Sequence, residues 1–393
     1  MIGLLLSIIY LSFFGLGLPD SMLGAAWPTI FAEMDVPVSG AGIISAIIAF
    51  GTIISSLASD RVTRKLGASR TTAISVAITA LALLGFGIST KFWHLCLISI
   101  PYGLGAGSVD AALNNYVSLH FSSKHMNWLH CMWGLGAAVG PTIMGAVLTG
   151  GGGWHLGYVI VSIIQIVIST ILFISLPIWK KPMKVSAAEA KTTDKPLSFK
   201  EIFGIRGVKA VMVTFFAYCA LEVTVTLWAS SYLNLEKGID SDTAALWGSL
   251  YVLGITLGRA ISGFISIKLN DTQMMRLGEG IMVGGLILLF LPLPNAFSLI
   301  GLVIFGIGSA PIYPSIIHST PARFGETRSQ ALIGVQMASA YTGTCLMPPL
   351  FGLIANHISI KWFPLYIALL TVIMIVMFEV LNKRAGIKSK EAH

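Results

Sequence analysis

Charged residues are scarce in this chain. Aspartate, glutamate, lysine and arginine together make up 11% of its 393 residues, against 55% for hydrophobic residues. Soluble domains carry about 25% charged residues, so this composition excludes an ordinary water-soluble protein. Polar stretches are scarce too, and none is long enough to fold as a separate aqueous domain. An enzyme whose chemistry sits in such a domain is therefore excluded.

The sequence also lacks the patterns of a metal centre or of nucleophilic catalysis. All four cysteines lie inside apolar runs without CxxC spacing, and they are predicted to be small buried side chains. His120, His125 and His130 are five residues apart, a step that scatters them around a helix. We therefore expect no enzyme activity, no cofactor and no bound metal. The basic residues lie in alternate connections rather than in one patch, so we also expect no nucleic-acid partner.

What the sequence does contain is apolar runs of the length that crosses a bilayer. Its mean hydropathy is +0.82, and a helix needs about 20 residues to span a hydrocarbon core about 30 Å thick. The first run starts without a basic segment, so it is predicted to be a span and not a signal peptide. Twelve spans are predicted, at residues 3–31, 38–59, 71–90, 93–118, 126–149, 157–179, 209–234, 243–268, 274–293, 296–318, 327–355 and 361–382.

The lysines and arginines predict the orientation of these spans. Of the 25 such residues, three lie in odd-numbered connections and one, Arg259, lies inside a span. The other 21 lie in the even-numbered connections and the C-terminal tail, a distribution typical of cytoplasmic segments. We therefore expect a multi-pass protein of the inner or plasma membrane with both termini in the cytoplasm.

The chain also repeats itself. Residues 136–145 in span five follow the pattern G-x4-P-x3-G, and residues 343–352 in span eleven follow it again. The predicted fold is all-α, with one six-helix bundle at 1–180, a cytoplasmic linker containing a short amphipathic helix at 181–208, and a second six-helix bundle at 209–393. Such parallel repeats are typical of two-lobed transporters whose site lies at the midplane between the lobes.

Ionisable residues inside the spans indicate a functional site, because each costs about 2.5–3.5 kcal/mol at a span centre. Asp20 lies mid-span with Trp27 on the same predicted helix face, and Asp110 shares a face with Asn114. We predict proton coupling by Asp20, Asp110 and His130, the last of which enters span five at a depth similar to that of Asp110. The structural alternatives are an Asp20 bonded to backbone in a kink and an Asp110–His130 bond that only joins two helices.

The second half holds three further ionisable residues within its spans. Glu222 lies near the midplane of span seven, whereas Arg259 and Glu279 are predicted to form a structural ion pair between spans eight and nine. Aromatic and amide residues complete the predicted substrate-binding set, although a single aromatic is more often a packing residue or an interfacial anchor. That set is Trp27, Asn114, Trp133, Glu222, Trp228, Tyr313, Gln336 and Tyr341.

Residues 56–65, Ser-Leu-Ala-Ser-Asp-Arg-Val-Thr-Arg-Lys, resemble the loop motif G-x-L-x-D-R-x-G-R-[RK] of the major facilitator superfamily. The acid and three bases match at Asp60, Arg61, Arg64 and Lys65, while a serine and a threonine replace the glycines. The resemblance implies a twelve-span, two-lobed transporter in which these four residues gate the cytoplasmic side by charge pairing. The repeat and the central linker extend the resemblance over the whole chain.

Within that superfamily, the chain is similar to the fucose permease and related sugar:proton symporters. Acids in helices one and four of that group serve proton coupling and sugar recognition, and Asp20 and Asp110 match their positions. Asn114 matches a cavity asparagine, while His130 and Trp133 stand where the group has amide side chains for the sugar. The resemblance implies proton-coupled symport of a monosaccharide or similar small polar solute by alternating access. We expect a monomer in the lipid bilayer.

Three alternative functions stay open. Residues 136–145 also resemble the helix-five signature of drug:proton antiporters, which favours export of a drug or metabolite. Sodium is a second possible coupling ion, since carboxylates bind either cation. A sensor that binds its solute without moving it is a third class, and it needs only one stable conformation.

Overall fold

The computed structural model describes residues 2–20, 22–37, 40–179, 196–291 and 294–386. Within these ranges the chain is almost entirely helical. The first half contains α1 (Ile2–Gly17), α2 (Met22–Glu33), α3 (Gly40–Leu66), α4 (Ala68–Gly87), α5 (Phe92–His120), α6 (Ser123–Thr149) and α7 (Gly153–Trp179). The second half contains α8 (Phe199–Gly204), α9 (Val208–Leu235), α10 (Ser241–Ile265), α11 (Asp271–Phe290), α12 (Asn295–Ser309), α13 (Ile312–Phe324), α14 (Glu326–His357) and α15 (Phe363–Ala385).

These helices provide the twelve predicted spans. In the described ranges, eleven segments are long and apolar enough to cross a membrane. The twelfth is α14, which is 32 residues long. The first and tenth spans are each divided in two, into α1 and α2 and into α12 and α13. The all-α membrane fold is confirmed, and exposed apolar side chains such as Phe50 and Ile174, 66% and 74% exposed, are the kind that lipid covers.

The first span is broken near its middle. α1 ends at Gly17 and α2 begins at Met22, because Pro19 has no N–H to donate and disfavours helical backbone angles at the residue before it. Within the break, the Asp20 N–H donates to the Gly17 carbonyl at 3.2 Å. The span predicted at 3–31 is thus divided at Pro19–Asp20, as the kink alternative expected, and the prediction that Asp20 and Trp27 share one helix face is wrong. Trp27 is 6% exposed and packs into the apolar core instead.

Contacts between helices divide the chain into two compact units. One takes in Met1–Tyr116 and Trp128–Thr192, and the other takes in Val117–Asn127 and Thr193–His393. In the first unit α4, α1 and α2 all pack on α7. In the second unit α9 packs against α14 and α15, while α12 packs against α10 and α11. The predicted bundle and linker boundaries stay predictions, since much of the linker, residues 181–195, lies outside the described ranges.

The repeated glycine pattern marks the same kind of helix contact in both units. A methyl group added at Gly136 on α6 would collide with the backbone carbonyl of Phe14 on α1. A methyl group added at Gly343 on α14 would lie 2.5 Å from the carbonyl oxygen of Phe216 on α9. Each pattern therefore begins with a glycine that lets two helix backbones touch, which is a packing role.

Gly140→Ala is expected to destabilise the protein, because the added methyl would collide with the carbonyl of Leu18 and a backbone atom cannot rotate aside. Overpacking of this kind costs about 1–3 kcal/mol. Gly145→Ala on the same helix is the matched control, since nothing lies within 4 Å of its added methyl. Thermal unfolding of the purified variants in detergent measures the difference. Equal melting temperatures for the two variants would contradict this packing.

Candidate functional site

Asp20 lies in the break between α1 and α2, with its side chain exposed. The α6 helix brings Trp133 to this carboxyl, and the indole Nε1–H donates to Asp20 Oδ2 at 2.8 Å. Because the backbone leaves the helix at this point, the carboxyl is presented by a turn rather than by a helix face. Two residues predicted for the site are thus joined by a direct hydrogen bond.

Asp110, Asn114 and His130 form one hydrogen-bonded chain across α5 and α6. Asn114 Nδ2 donates to Asp110 Oδ1 at 2.7 Å and to the Asp110 carbonyl at 3.0 Å. His130 Nε2 lies 3.0 Å from Asn114 Oδ1. All three residues are buried, at 4%, 0% and 4% exposure respectively. Sequence reasoning expected Asp110 and His130 to form a pair, and the structure places the Asn114 amide between them.

This arrangement fixes where one proton sits. The Asn114 side-chain oxygen offers lone pairs only, so His130 Nε2 must carry the hydrogen of their bond. The amide nitrogen of Asn114 faces the carboxyl, which sets the orientation of the whole amide. Hydrogen bonds in such a chain polarise one another, so a change of charge on Asp110 alters the bond that His130 makes.

The Asp20 and Asp110 carboxyls interact electrostatically with one another. The side chain of Tyr102 is buried, at 6% exposure, and it also interacts electrostatically with Asp20. Two negative charges repel, so a proton on either carboxyl relieves the repulsion. The first unit therefore holds two acids that are both linked to α6, Asp20 through Trp133 and Asp110 through Asn114 and His130.

In the second unit Arg259 pairs with Glu222, with Arg259 Nη2 3.4 Å from Glu222 Oε1. Their side chains are 3% and 16% exposed. The predicted pair of Arg259 with Glu279 is therefore wrong. Glu279 is 5% exposed, and its Oε1 has no hydrogen-bond partner among the described residues. The Arg259 side chain on α10 turns toward α9 and not toward α11.

The family model of the Major Facilitator Superfamily matches residues 9–240 and 210–392, which together make up most of the chain. The chain belongs to the Major Facilitator Superfamily.

This transporter is 21% identical to bypass of stop codon protein 6 of Saccharomyces cerevisiae, over 92% of this chain and 78% of the yeast protein. It is 22% identical to the glucose/mannose transporter of Bacillus subtilis, over 78% of this chain and 77% of that protein. A crystal structure of the E. coli fucose:proton symporter matches it with a TM-score of 0.78 at 14% identity, over 96% of this chain and 98% of that chain. At so low an identity, the structural likeness shows the fold.

The loop motif of this superfamily transporter is helical rather than a turn. The α3 helix continues past Asp60, and Arg64 Nε donates to both carboxylate oxygens of Asp60 at 2.9 Å. The turn comes later, at Gly67, whose φ of +78° suits glycine. Thr63, which replaces a motif glycine, therefore sits within a helix and needs no unusual backbone angle. The gating role of the motif stays a prediction; its two remaining bases are exposed, namely Arg61 and Lys65.

Most other predicted substrate residues of the transporter lie in packing positions. Trp228 Nε1 donates to a backbone carbonyl of α14 at 3.0 Å. Gln336 is 1% exposed and bonded to Thr320 at 3.1 Å. The Tyr313 hydroxyl lies 3.0 Å from a methionine sulfur, and Tyr341 is half-buried. Of the predicted substrate set, the structure joins Asn114 and Trp133 directly to the two acids, and the substrate roles of the others stay predictions.

Sequence reasoning missed a cluster in the second unit. His318 contacts both Asp271 and the backbone of Phe121. A histidine inside an apolar run was visible in the sequence, but its partners are 47 and 197 residues away along the chain. The described part of the chain contains no group of three or more histidine, cysteine or acidic residues arranged to hold a metal ion.

Proposed function

We propose that this transporter moves a monosaccharide or similar small polar solute together with protons, in an inner or plasma membrane with both termini cytoplasmic. The observation that carries the proposal is the pair of acids inside the spans of the first unit. Asp20 is exposed and accepts a hydrogen bond from an indole, while Asp110 is buried and bonded to an amide. Acids kept inside a membrane at such a cost are functional by default.

The proton-coupling role rests on charge. Because two ionised carboxyls repel one another, a proton bound by one of these acids makes the other easier to ionise. Through Asn114 the same proton changes the bond to His130. A proton bound from one side of the membrane thus rearranges hydrogen-bond donors and acceptors on α5 and α6, and this links ion binding to the groups that would contact a solute.

The choice of solute rests on the chemistry of these groups and on the relatives. Carboxyl and amide groups bind the hydroxyls of a sugar, and an indole beside them stacks on its apolar face. One relative is described as a glucose/mannose transporter, and a structural neighbour is described as a fucose:proton symporter. These descriptions belong to those proteins, and they favour the sugar hypothesis over other polar solutes.

Export of a drug or metabolite is the weaker alternative. Its support in the sequence was the glycine pattern at 136–145, yet the same pattern in the second unit makes the same backbone contact. A feature that packs helices in both units carries little information about the direction of transport.

The test is proton movement in proteoliposomes that contain the purified transporter and a pH-sensitive dye in the lumen. A gradient of the carried monosaccharide is expected to acidify the lumen as solute and protons enter together. Alkalinisation during solute entry would indicate exchange and favour the exporter. A response that depends on sodium would assign coupling to that ion, and solute binding without either movement would indicate a sensor.

A further inference from the structure

His318 on α13 meets two acceptors at once. Its Nδ1 lies 2.7 Å from Asp271 Oδ2, at the start of α11, and its Nε2 lies 3.0 Å from the carbonyl oxygen of Phe121. Phe121 lies in the short connection between α5 and α6. This connection belongs to the same compact unit as α11 and α13.

These contacts require an additional proton. A carbonyl oxygen only accepts hydrogen bonds, so His318 Nε2 must carry a hydrogen. Nδ1 then has two possible states: it carries a second hydrogen, as in imidazolium, or it accepts one from a protonated Asp271. A neutral imidazole beside an ionised Asp271 satisfies only one of the two contacts, because a lone pair would face an acceptor oxygen at the other.

We propose that Asp271 and His318 form a second proton-binding site, and that its proton is required to hold the α5–α6 connection against α13. The proposal goes beyond the acids of the first unit, and it does not depend on which solute is carried.

The pair is largely buried and lies among other charged and titratable groups. The side chains of His318 and Asp271 are 19% and 10% exposed, and Asp271 Oδ1 has no hydrogen-bond partner among the described residues. Arg323 interacts electrostatically with Asp271, so a second cationic side chain lies beside the pair. Two other titratable side chains lie nearby. Glu379 interacts electrostatically with Arg323, and the centroid of the His125 ring lies 5.6 Å from that of the Phe121 ring.

The connection that this site holds is short and lies next to the first-unit network in the chain. The α5 helix carries Asp110 and Asn114, and α6 carries His130. Only residues 121 and 122 separate the two helices. On loss of the additional proton the ring keeps one N–H, and the ionised Asp271 binds it more strongly than the neutral Phe121 carbonyl does. The Phe121 carbonyl is then released, and the point where both helices end is loosened.

Hydrogen–deuterium exchange of the full-length protein in detergent tests this proposal. The reporters are the backbone amides of residues 121, 125 and 126, which are hydrogen-bonded within the connection. Exchange is measured between about pH 6 and about pH 9, a range that brackets ordinary imidazole titration, and is corrected for intrinsic exchange rates. Protection of these amides is expected to fall by roughly tenfold or more as the pH rises, the size expected for a lost hydrogen bond to a charged group.

Two variants separate this site from other causes. In Asp271→Asn, the new amide donates to Nδ1 while Nε2–H still donates to Phe121, so protection should persist at all pH values. In His318→Ala, protection should be low throughout. The matched control is His155→Ala, which removes a histidine 3.0 Å from the Ser89 carbonyl in the first unit and should leave the connection unchanged.

Two results would overturn the proposal. One is pH-independent protection in the unaltered protein. The other is a pH profile of Asp271→Asn that matches the unaltered protein, which would assign the titration to another group such as His125. Because Asp271→Asn preserves the geometry of the contact, the comparison stands even where His318→Ala fails to fold. Failure of solute-driven proton uptake would leave this result untouched, so the two proposals are tested separately.

Discussion

Asp110→Asn is expected to abolish accumulation of the solute against its gradient while leaving exchange of solute across the membrane in place. The substitution preserves shape, and the new amide oxygen still accepts the hydrogen bond that Asn114 donates at 2.7 Å. What is lost is the exchange of a proton at this position. Coupling should fall to background, whereas binding and equilibrative movement need only the retained hydrogen bonds.

The measurement compares concentrative uptake driven by a pH gradient with counterflow, in which no gradient is needed. Asp240→Asn is the matched control. Asp240 is exposed, lies outside the spans and caps α10 by accepting from the Thr243 N–H at 2.9 Å. Asparagine caps a helix equally well, so this variant should match the unaltered protein in both assays. Undiminished accumulation by Asp110→Asn would remove Asp110 from the coupling mechanism.

The fold was predictable because its main determinant is local. A bilayer sets the length of each apolar run, so twelve runs of about 20 residues predict twelve helices without any knowledge of their neighbours. The glycine pattern was equally informative, since a residue without a side chain within an apolar helix marks a close backbone contact. Both signals lie within a single helix and need no knowledge of its neighbours.

The site was only partly predictable, because it depends on rotation and on breaks. Position along a span placed Arg259 and Glu279 on consecutive spans but did not give the direction of their side chains, because each step of one residue turns a helix by about 100°. The break at Pro19 places Asp20 outside the helix that carries Trp27, so the prediction that these two residues share a helix face failed. Asn114 was found because it lies four residues from Asp110 on one helix, where local geometry is sufficient.

Arg259→Met is expected to destabilise the protein strongly, because it leaves the carboxylate of Glu222 without its partner. Removing one member of a buried ion pair costs about 3–5 kcal/mol, since the remaining charge stays in a medium that solvates it poorly. Glu222→Gln combined with Arg259→Met should recover most of the loss, because replacing both charges by neutral groups is often close to neutral. Recovery in the double variant separates the effect of an uncompensated charge from that of lost packing.

Thermal unfolding in detergent gives the four corners of this double-mutant cycle, and the exposed pair of Arg276 and Glu379 provides the control. That pair is bidentate at 2.9 and 3.0 Å, with side chains 57% and 39% exposed. Exposed pairs contribute about 0–1 kcal/mol despite good geometry, so Arg276→Met should lower the melting temperature far less than Arg259→Met. Equal losses from the two arginine variants would mean that burial does not set the strength of these pairs. A double variant as unstable as Arg259→Met would show that the arginine side chain acts through its packing and not through Glu222.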